Sequence, residues 1–168
     1  TQSKKLEAYY QEQGYKVKRY SFPVYESATG KIVGGPFLGK PEIMNTFFEE
    51  TSSKVDPLVS SLYYAADRKY NMTEIEKYLN KGYYVILDRY TTSNMVHQAG
   101  KITDEDEREK YLNWLFDLEF NIYGLPVPTE VFFLNMPPKK VEELIKNREN
   151  KFTHNDKKDI HERDRRNV

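Results

Sequence analysis

Tyr83-Tyr84-Val85-Ile86-Leu87-Asp88-Arg89-Tyr90 is the stretch of sequence that decides the fold. Residues 83–87 are apolar or aromatic without interruption, which is typical of a strand covered on both faces in a parallel sheet. Parallel strands need long crossover connections, and these are usually helices. The stretch therefore predicts an α/β fold with a parallel sheet, and it places an acidic and a basic residue at the end of a buried strand.

Two helix starts precede this strand. Asp56-Pro57 predicts a helix from residue 57 to about residue 70, because aspartate caps a first turn and proline fits inside it. Thr73-Glu74-Ile75-Glu76 has the form of a capping box, and it predicts a second helix that Gly82 closes.

The rest of the chain continues the alternation of helices and strands. The other predicted elements are a helix over residues 1–13, a strand over 15–20, a loop or broken helix over 24–41, a helix over 104–123, a strand over 131–134, and a helix opened by Pro137 and Pro138 with Val141, Leu144 and Ile145 on its inner face. No repeat or long linker divides the chain, which predicts one domain over residues 1–168.

The composition excludes several classes of protein. Lys+Arg 26 balance Asp+Glu 26, so the totals lack the basic excess of a protein that binds a nucleic acid polymer. The absence of cysteine excludes disulfides and thiolate metal sites. No apolar run approaches the roughly 18 residues that predict a membrane span. We therefore expect a soluble cytoplasmic protein with no membrane partner.

Asp88 and Arg89 are the first candidates for a functional site. In open parallel sheets, ligands bind beyond the carboxyl ends of the strands. A carboxylate there can hold Mg²⁺, usually through water, and a guanidinium matches a phosphate with two parallel hydrogen bonds. The alternative is a salt bridge that caps the strand end.

Aromatic and basic residues elsewhere suit a nucleotide base. Tyr64 and Arg68 lie four residues apart on the predicted 57–70 helix and so share a face, where a ring can stack on a base and a guanidinium can bond its carbonyl edge. The alternative is a surface cation–π pair. Phe22 and Tyr25 follow the first predicted strand, and they can equally be core and rim aromatics.

Six segments in order resemble the motifs of thymidylate kinases. They are Thr1-Gln2-Ser3-Lys4-Lys5-Leu6, Phe22-Pro23-Val24-Tyr25, Ser61 to Arg68, Asp88-Arg89-Tyr90 with Ser93-Asn94, Gly124-Leu125-Pro126-Val127-Pro128, and Asp159 to Asp164. The resemblance covers essentially the whole chain. It implies the P-loop kinase fold, a three-layer α/β/α arrangement around a parallel sheet, and transfer of the γ-phosphoryl group of ATP to dTMP with Mg²⁺.

The resemblance also implies a role for each matching residue at the dTMP site. For the base, Tyr64 would stack on thymine, Arg68 would bond its O4 edge, and Phe22 would line the base pocket. Asn94 would reach the base or sugar, and His97 would lie near the 2′ carbon of the sugar. Tyr25 and Arg89 would hold the phosphate. Asp88, beside Arg89, keeps the metal role that its position at the end of a buried strand predicts.

Other implied roles fall near the end of the chain. Arg148 would lie near the adenine of ATP. Residues 148–160 would form a lid, and Glu162 would belong to it. Lys157 and Lys158 would neutralise charge on the transferring phosphoryl group. Relatives are usually homodimers, so the resemblance also implies a homodimer.

The chain departs from the family pattern in several places. The phosphate-binding loop GxxxxGK[ST] is missing, and so is a counterpart of the N-terminal strand before it and of the last strand. The 168 residues alone are therefore expected to be inactive. Val24 stands where many relatives carry Arg or Glu, Tyr64 replaces the commoner Phe, and His97 replaces a common Tyr.

Two other functions remain open from the sequence. One is a different P-loop nucleoside or nucleotide kinase, whose acceptor would be a hydroxyl or another base. The other is a non-catalytic nucleotide-binding relative of a kinase, which the missing loop favours.

Overall fold

A computed structural model describes residues 1–40, 42–49 and 54–146. The predicted lid over residues 148–160 lies outside these residues. The same holds for four predicted site residues, which are Arg148, Lys157, Lys158 and Glu162.

The described sheet has two parallel strands, which confirms the α/β prediction. Strand β1 runs over Val17–Ser21 and strand β2 over Tyr84–Asp88. Val17 pairs with Tyr84, and the register continues to Ser21 beside Asp88. Both strands therefore end at the same edge of the sheet. The residues of β2 are half-buried or exposed rather than covered on both faces, so that part of the prediction is wrong.

The helix predicted over residues 1–13 is confirmed as α1, Gln2–Glu12. It packs against both strands. Gly14 follows it with a φ of 83°, a left-handed conformation that glycine adopts without strain. The chain then turns directly into β1.

Of the two forms predicted for residues 24–41, a loop or a broken helix, the described residues adopt the broken helix. Helix α2 covers Ala28–Ile32 and continues as a wider π-helical segment over Val33–Phe37. The Ser27 side chain caps α2 by accepting a hydrogen bond from the N–H of Gly30 at 3.0 Å. Residues 33–37 are largely buried, so this broken helix is part of the core.

Helix α3 runs without a break over Pro57–Leu79, so the predicted second helix start at residue 73 is wrong. Its own start is as predicted, because the Asp56 carboxylate accepts hydrogen bonds from the N–H groups of Leu58 and Val59. Ala65, Met72 and Ile75 are buried on one face at helical spacing. This continuous buried stripe carries the helix through residue 73, and it overrides the local capping signal.

The later helices follow β2 closely. Helix α4 covers Thr91–Ala99, and α5 covers Glu105–Phe116 before it widens into a π-helical segment over Asp117–Ile122. Asp104 caps α5 by accepting a hydrogen bond from the N–H of Glu107 at 2.9 Å. The helix predicted over residues 104–123 is therefore confirmed, with a change of helix type near its end.

The strand predicted over residues 131–134 is wrong, because these residues form no regular structure. Val131, Phe132, Phe133 and Leu134 are all more than half exposed. Apolar composition favours a strand only where a neighbouring strand can supply its hydrogen bonds. In the described part of the chain, no strand pairs with this segment.

Helix α6 covers Pro138–Lys146, as the two prolines predict. Val141 is half-buried, but Leu144 is 51% exposed, so the predicted inner face is not covered at Leu144. The prediction for the Ile145 side chain lies outside the described part of the structure.

Within the described residues, the core consists of three buried clusters around α3. One lies between α3 and the strand ends, one between α3, α4 and α5, and one between α3 and the π-helical segment after α2. Helix α3 therefore joins the parts of the molecule that surround the strand ends. Among the described helices, none is long and apolar enough to cross a membrane.

Candidate active site

A cavity of about 600 Å³ opens beyond the carboxyl ends of β1 and β2. This volume is in the range of small-molecule binding sites. The eight predicted site residues that the structure describes all line it, although they are scattered over 76 positions of sequence. They are Phe22, Tyr25, Tyr64, Arg68, Asp88, Arg89, Asn94 and His97.

The loop after β1 forms one wall of the cavity. Its first residue, Phe22, is buried, and its ring lies 6.2 Å from that of Tyr90, so Phe22 is both a core residue and a lining residue. The Phe22–Pro23 peptide bond is cis. Further along this wall, the Nζ of Lys40 lies 4.3 Å from the centre of the Tyr25 ring. Sequence analysis missed Lys40, which also lines the cavity.

The end of β2 supplies the charged residues at the sheet edge. The Asp88 carboxylate accepts a hydrogen bond from Ser3 Oγ of helix α1 at 2.7 Å. Arg89 has a φ of 68°, in the left-handed region that few residues other than glycine adopt. In the part of the chain that the structure describes, Asp88 and Arg89 do not pair with each other, so the alternative of a capping salt bridge between them is not realised.

Helix α3 contributes Tyr64 and Arg68 from a single face. The Tyr64 ring meets the Phe37 ring edge-on, with centroids 5.6 Å apart. Arg68 is 3% exposed, which rules out a surface cation–π pair. Its guanidinium donates through Nε and a terminal nitrogen to both carboxylate oxygens of Glu119. This bidentate pair fixes the plane of the guanidinium beside the cavity.

Glu119 is a residue that sequence analysis missed. It is fully buried, and it lies on the π-helical segment after α5. A signal for its burial was available, since Leu115, Leu118 and Glu119 fall on one helical face. The Asn94 amide also points a nitrogen at the Glu119 carboxylate, at 3.5 Å. One buried carboxylate therefore orients two predicted site residues.

Tyr90 closes the cavity behind this network. Its hydroxyl donates to the carbonyl oxygen of Pro126 at 3.1 Å. Burial raises the pKa of the Tyr90 hydroxyl, and the nearby charge of Glu119 raises it further. The hydroxyl therefore stays protonated at neutral pH and acts as a hydrogen-bond donor.

Helix α4 presents buried amides to the cavity. Gln98, which sequence analysis missed, is 1% exposed and lies one turn after Asn94. Asn94 Oδ1 and Gln98 Oε1 are buried oxygens that find no hydrogen-bond partner among the residues that the structure describes. Buried polar atoms without a partner are costly and call for an explanation, and a ligand that donates hydrogen bonds would provide one.

The cavity wall carries charges of both signs. Five basic side chains line it against three acidic ones. The basic residues are Lys4, Arg19, Lys40, Arg68 and Arg89, and the acidic ones are Glu26, Asp67 and Asp88. Two of the basic residues are paired with glutamates outside the cavity lining, Arg19 with Glu7 and Arg68 with Glu119. Once these two glutamates are counted, positive and negative charges are equal in number, so an anion would be held by individual cations such as Arg89 rather than by a net positive charge of the wall.

Comparisons with known proteins agree on one family. The sequence model of that family, described as thymidylate kinase, matches residues 1–168. A thymidylate kinase of Plasmodium falciparum is 31% identical over 140 residues, which cover 82% of this chain and 56% of that protein.

Two further proteins are also similar. A probable thymidylate kinase of Pyrobaculum aerophilum is 35% identical over 95 residues, covering 56% of this chain and 44% of the relative. One of Staphylothermus marinus is 34% identical over 103 residues, covering 58% of this chain and 47% of the relative. The chain thus spans about half the length of the curated relatives it matches.

Proposed function

The chain belongs to the thymidylate kinase family, and from this premise we propose that the whole protein transfers the γ-phosphoryl group of ATP to dTMP. One observation carries the proposal. Tyr64, Arg68 and Arg89, which the family resemblance assigns to base and phosphate, line the same cavity at the carboxyl ends of the strands.

In this proposal, the base lies against helix α3. Tyr64 stacks on the thymine ring, and the guanidinium of Arg68, held by Glu119, donates to O4. A fixed donor at this position favours thymine or uracil over cytosine, because cytosine carries an amino group in place of O4. Phe22 closes the base pocket from the opposite loop, and Asn94 and His97 contact the base and the sugar.

The acceptor phosphate lies at the end of β2. Arg89 binds it with its guanidinium and Tyr25 with its hydroxyl. Phosphoryl transfer needs little covalent help from a protein, and positioning together with charge stabilisation supplies most of the catalysis. In this reading Arg89 acts mainly by aligning the acceptor oxygen and balancing its charge.

Asp88 suits a magnesium role of the kind that nucleotide enzymes use. Its carboxylate lines the cavity and is oriented by Ser3 Oγ. Among the described residues, no group of three or more His, Cys, Asp or Glu could hold a metal ion. Mg²⁺ needs no such group, because it retains waters and takes oxygens from the substrate phosphates. When bound, the ion would offset phosphate charge.

The donor side of the proposal rests on residues outside the described part of the chain. Arg148 is proposed to contact adenine, and Lys157, Lys158 and Glu162 to belong to a lid that closes over both nucleotides. Such closure removes water, which would otherwise compete as an acceptor. A homodimer and a cytoplasmic location remain part of the proposal.

A ligand panel tests the acceptor. We expect dTMP to raise the melting temperature of the complete protein more than dUMP, thymidine, dGMP or AMP, and ATP with Mg²⁺ and dTMP to yield dTDP. Strongest stabilisation by a purine monophosphate would indicate a different nucleotide kinase. Binding of dTMP without any dTDP would indicate a non-catalytic relative.

A pair of variants tests the stacking role. Tyr64→Ala should weaken dTMP binding by about 1–3 kcal/mol, the range for base–aromatic contacts. Tyr64→Phe keeps the ring and should bind dTMP nearly as well as the wild type. Equal affinities for all three proteins, measured by calorimetry, would leave Tyr64 as a packing residue only.

A further inference from the structure

Asp67 is a buried carboxylate that the family resemblance gives no role. It lies on helix α3 between Tyr64 and Arg68, and it is 1% exposed. A carboxylate this deeply buried is costly unless hydrogen-bond donors surround it. Four donors do so, each within 3.1 Å: the N–H of Val24, Ser27 Oγ, Thr29 Oγ1 and Asn71 Nδ2.

Three of these donors belong to one short segment, residues 22–30. This segment, the loop after β1 with the start of α2, carries Phe22 and Tyr25 into the cavity wall. The Val24 N–H binds Asp67 Oδ2 at 2.8 Å, and the Thr29 hydroxyl binds Oδ1 at 2.7 Å. The carboxylate therefore holds the segment on both sides of Tyr25.

Gly30 restricts the same segment from the other side. A Cβ at residue 30 would lie 1.7 Å from the carbonyl oxygen of Val24, so only glycine fits there. Val24 is thus fixed through its N–H by Asp67 and through its carbonyl, which accepts a hydrogen bond from the N–H of Ser27 at 2.8 Å. Tyr25 follows directly, and its orientation depends on both contacts.

Helix α3 consequently fixes two walls of the cavity with adjacent residues. Arg68 pairs with Glu119 on the base side, and Asp67 binds the segment that carries Tyr25. We propose that Asp67 is a positioning residue that holds residues 22–30 so that Tyr25 faces the acceptor phosphate. This inference rests on the proposed function, because it assumes a nucleoside monophosphate in the cavity.

The proposal predicts that Asp67 affects the binding of the phosphate but not the binding of the nucleoside. Removing the carboxylate releases the part of the segment that carries Tyr25 toward the phosphate. Phe22 stays packed in the core, and Tyr64 and Arg68 remain on helix α3, so the base contacts persist. The informative quantity is the phosphate preference, defined as the dissociation constant for thymidine divided by that for dTMP. A purely structural Asp67 would affect the amount of folded protein but not this ratio.

Asp67→Ala in the complete protein is the main test. Calorimetry with dTMP and with thymidine should show the phosphate preference falling about tenfold, which corresponds to about 1.4 kcal/mol and is the size of a hydrogen bond to a charged group. Asp67→Asn should lose less of the preference than Asp67→Ala, because its oxygen can still accept from the N–H of Val24 while its nitrogen faces Asn71 Nδ2, which is also a donor. An unchanged preference in folded Asp67→Ala would overturn the proposal.

Two further variants keep the test decisive. Tyr111→Phe removes a buried hydrogen bond to Ser61 at 2.7 Å, away from residues 22–30, and should leave the preference unchanged. If Asp67→Ala does not fold, Ser27→Ala with Thr29→Val removes both hydroxyl donors and should lower the preference about threefold, a fraction of the loss expected for the whole carboxylate. No decrease there would equally reject the role of Asp67.

The wild type separates this inference from the proposed function. If the wild-type protein binds dTMP no better than thymidine, the proposed acceptor site fails. If the wild type prefers dTMP and Asp67→Ala keeps that preference, only the role of Asp67 fails.

Discussion

Arg89 adopts a left-handed backbone conformation directly after strand β2. The conformation turns the chain from the strand into helix α4 within two residues, with Tyr90 as the N-cap. A side chain in this region costs about 1–2 kcal/mol relative to the ordinary conformation. Strain of this kind is often found at functional sites, where the surrounding structure compensates for it.

This strain gives a first prediction. The free energy of unfolding of Arg89→Gly should exceed that of Arg89→Ala by about 0.5–1 kcal/mol. Glycine relieves the backbone strain, and this gain is larger than the extra conformational entropy that glycine loses on folding. Both variants should lose dTMP affinity. At Thr92, inside α4, the order should reverse, because alanine is the better helix residue there. Denaturant titrations that show alanine more stable than glycine at both positions would contradict the strain.

Lys101 gives a prediction about pH. Its ammonium donates to the carbonyl oxygen of Val55 at 3.0 Å and lies 3.4 Å from Ser60 Oγ. Burial lowers the pKa of Lys101 to about 8. Between about pH 8 and pH 10, the unfolded lysine therefore holds a proton that the folded one has released.

This difference in bound protons determines whether the free energy of unfolding rises or falls with pH. Unfolding takes up a proton in that window, so the free energy of unfolding should rise with pH from about 8 to about 10. Above pH 10 the trend should weaken, because burial raises the pKa of Tyr111 to about 12 and unfolded tyrosines ionise first. Lys101→Met should remove the rise, and exposed Lys77→Met should keep it. Equal slopes in both variants would exclude Lys101 as the cause.

At the scale of elements, helix α3 is the piece on which the site depends. Its 23 residues supply Tyr64, Asp67 and Arg68 to the cavity and Met72 and Ile75 to the core. A break at residue 73 would detach the site-bearing half from the half that packs near the strand ends. Continuity of the helix is therefore a functional property as well as a structural one.

A single substitution tests that continuity. If Thr73 were an N-cap, Glu74 would be the first helical residue, where proline is well tolerated. Inside a continuous helix, Glu74→Pro should instead cost about 3 kcal/mol or more. Glu74→Ala is the control and should change stability by less than about 0.5 kcal/mol, because the Glu74–Lys77 pair is exposed. Nearly equal denaturation midpoints for the two variants would indicate two helices.

At the scale of the whole molecule, the cavity depends on parts that are distant in sequence. The loop after β1, helix α3, and the loop after β2 with α4 meet because β1 and β2 pair in parallel and end together. The apolar segment Val131–Leu134 lies outside this arrangement and is exposed. The described residues that line the cavity are those proposed to bind dTMP, whereas the residues proposed to bind ATP lie outside the described part of the chain.

That asymmetry gives a prediction for the 168-residue polypeptide. Its sequence contains no GxxxxGK[ST] motif, whose backbone N–H groups and lysine would hold the donor phosphates. We expect the isolated polypeptide to be stabilised by dTMP but to form no dTDP from ATP, Mg²⁺ and dTMP. The complete protein under identical conditions is the control. Formation of dTDP by the 168 residues would show that transfer does not need that loop.

Much of the local structure was predictable from the sequence. The cap at Asp56 and the strands near residues 17–21 and 84–88 depend on side chains within a few positions of one another. Such short-range effects are visible in the sequence itself. The gathering of the eight predicted residues in one cavity followed from the family resemblance and the parallel sheet, not from periodicity.

The sequence by itself determined where helices and strands begin and which residue types follow the strands, because those choices depend on neighbouring residues. Only the tertiary structure decided that α3 continues through residue 73, that residues 131–134 form no strand, and that Arg68 and Asp67 bind partners 51 and 43 positions away. These outcomes depend on burial and on hydrogen bonds between distant segments. Such contacts exist only after the chain has folded, so local patterns cannot specify them.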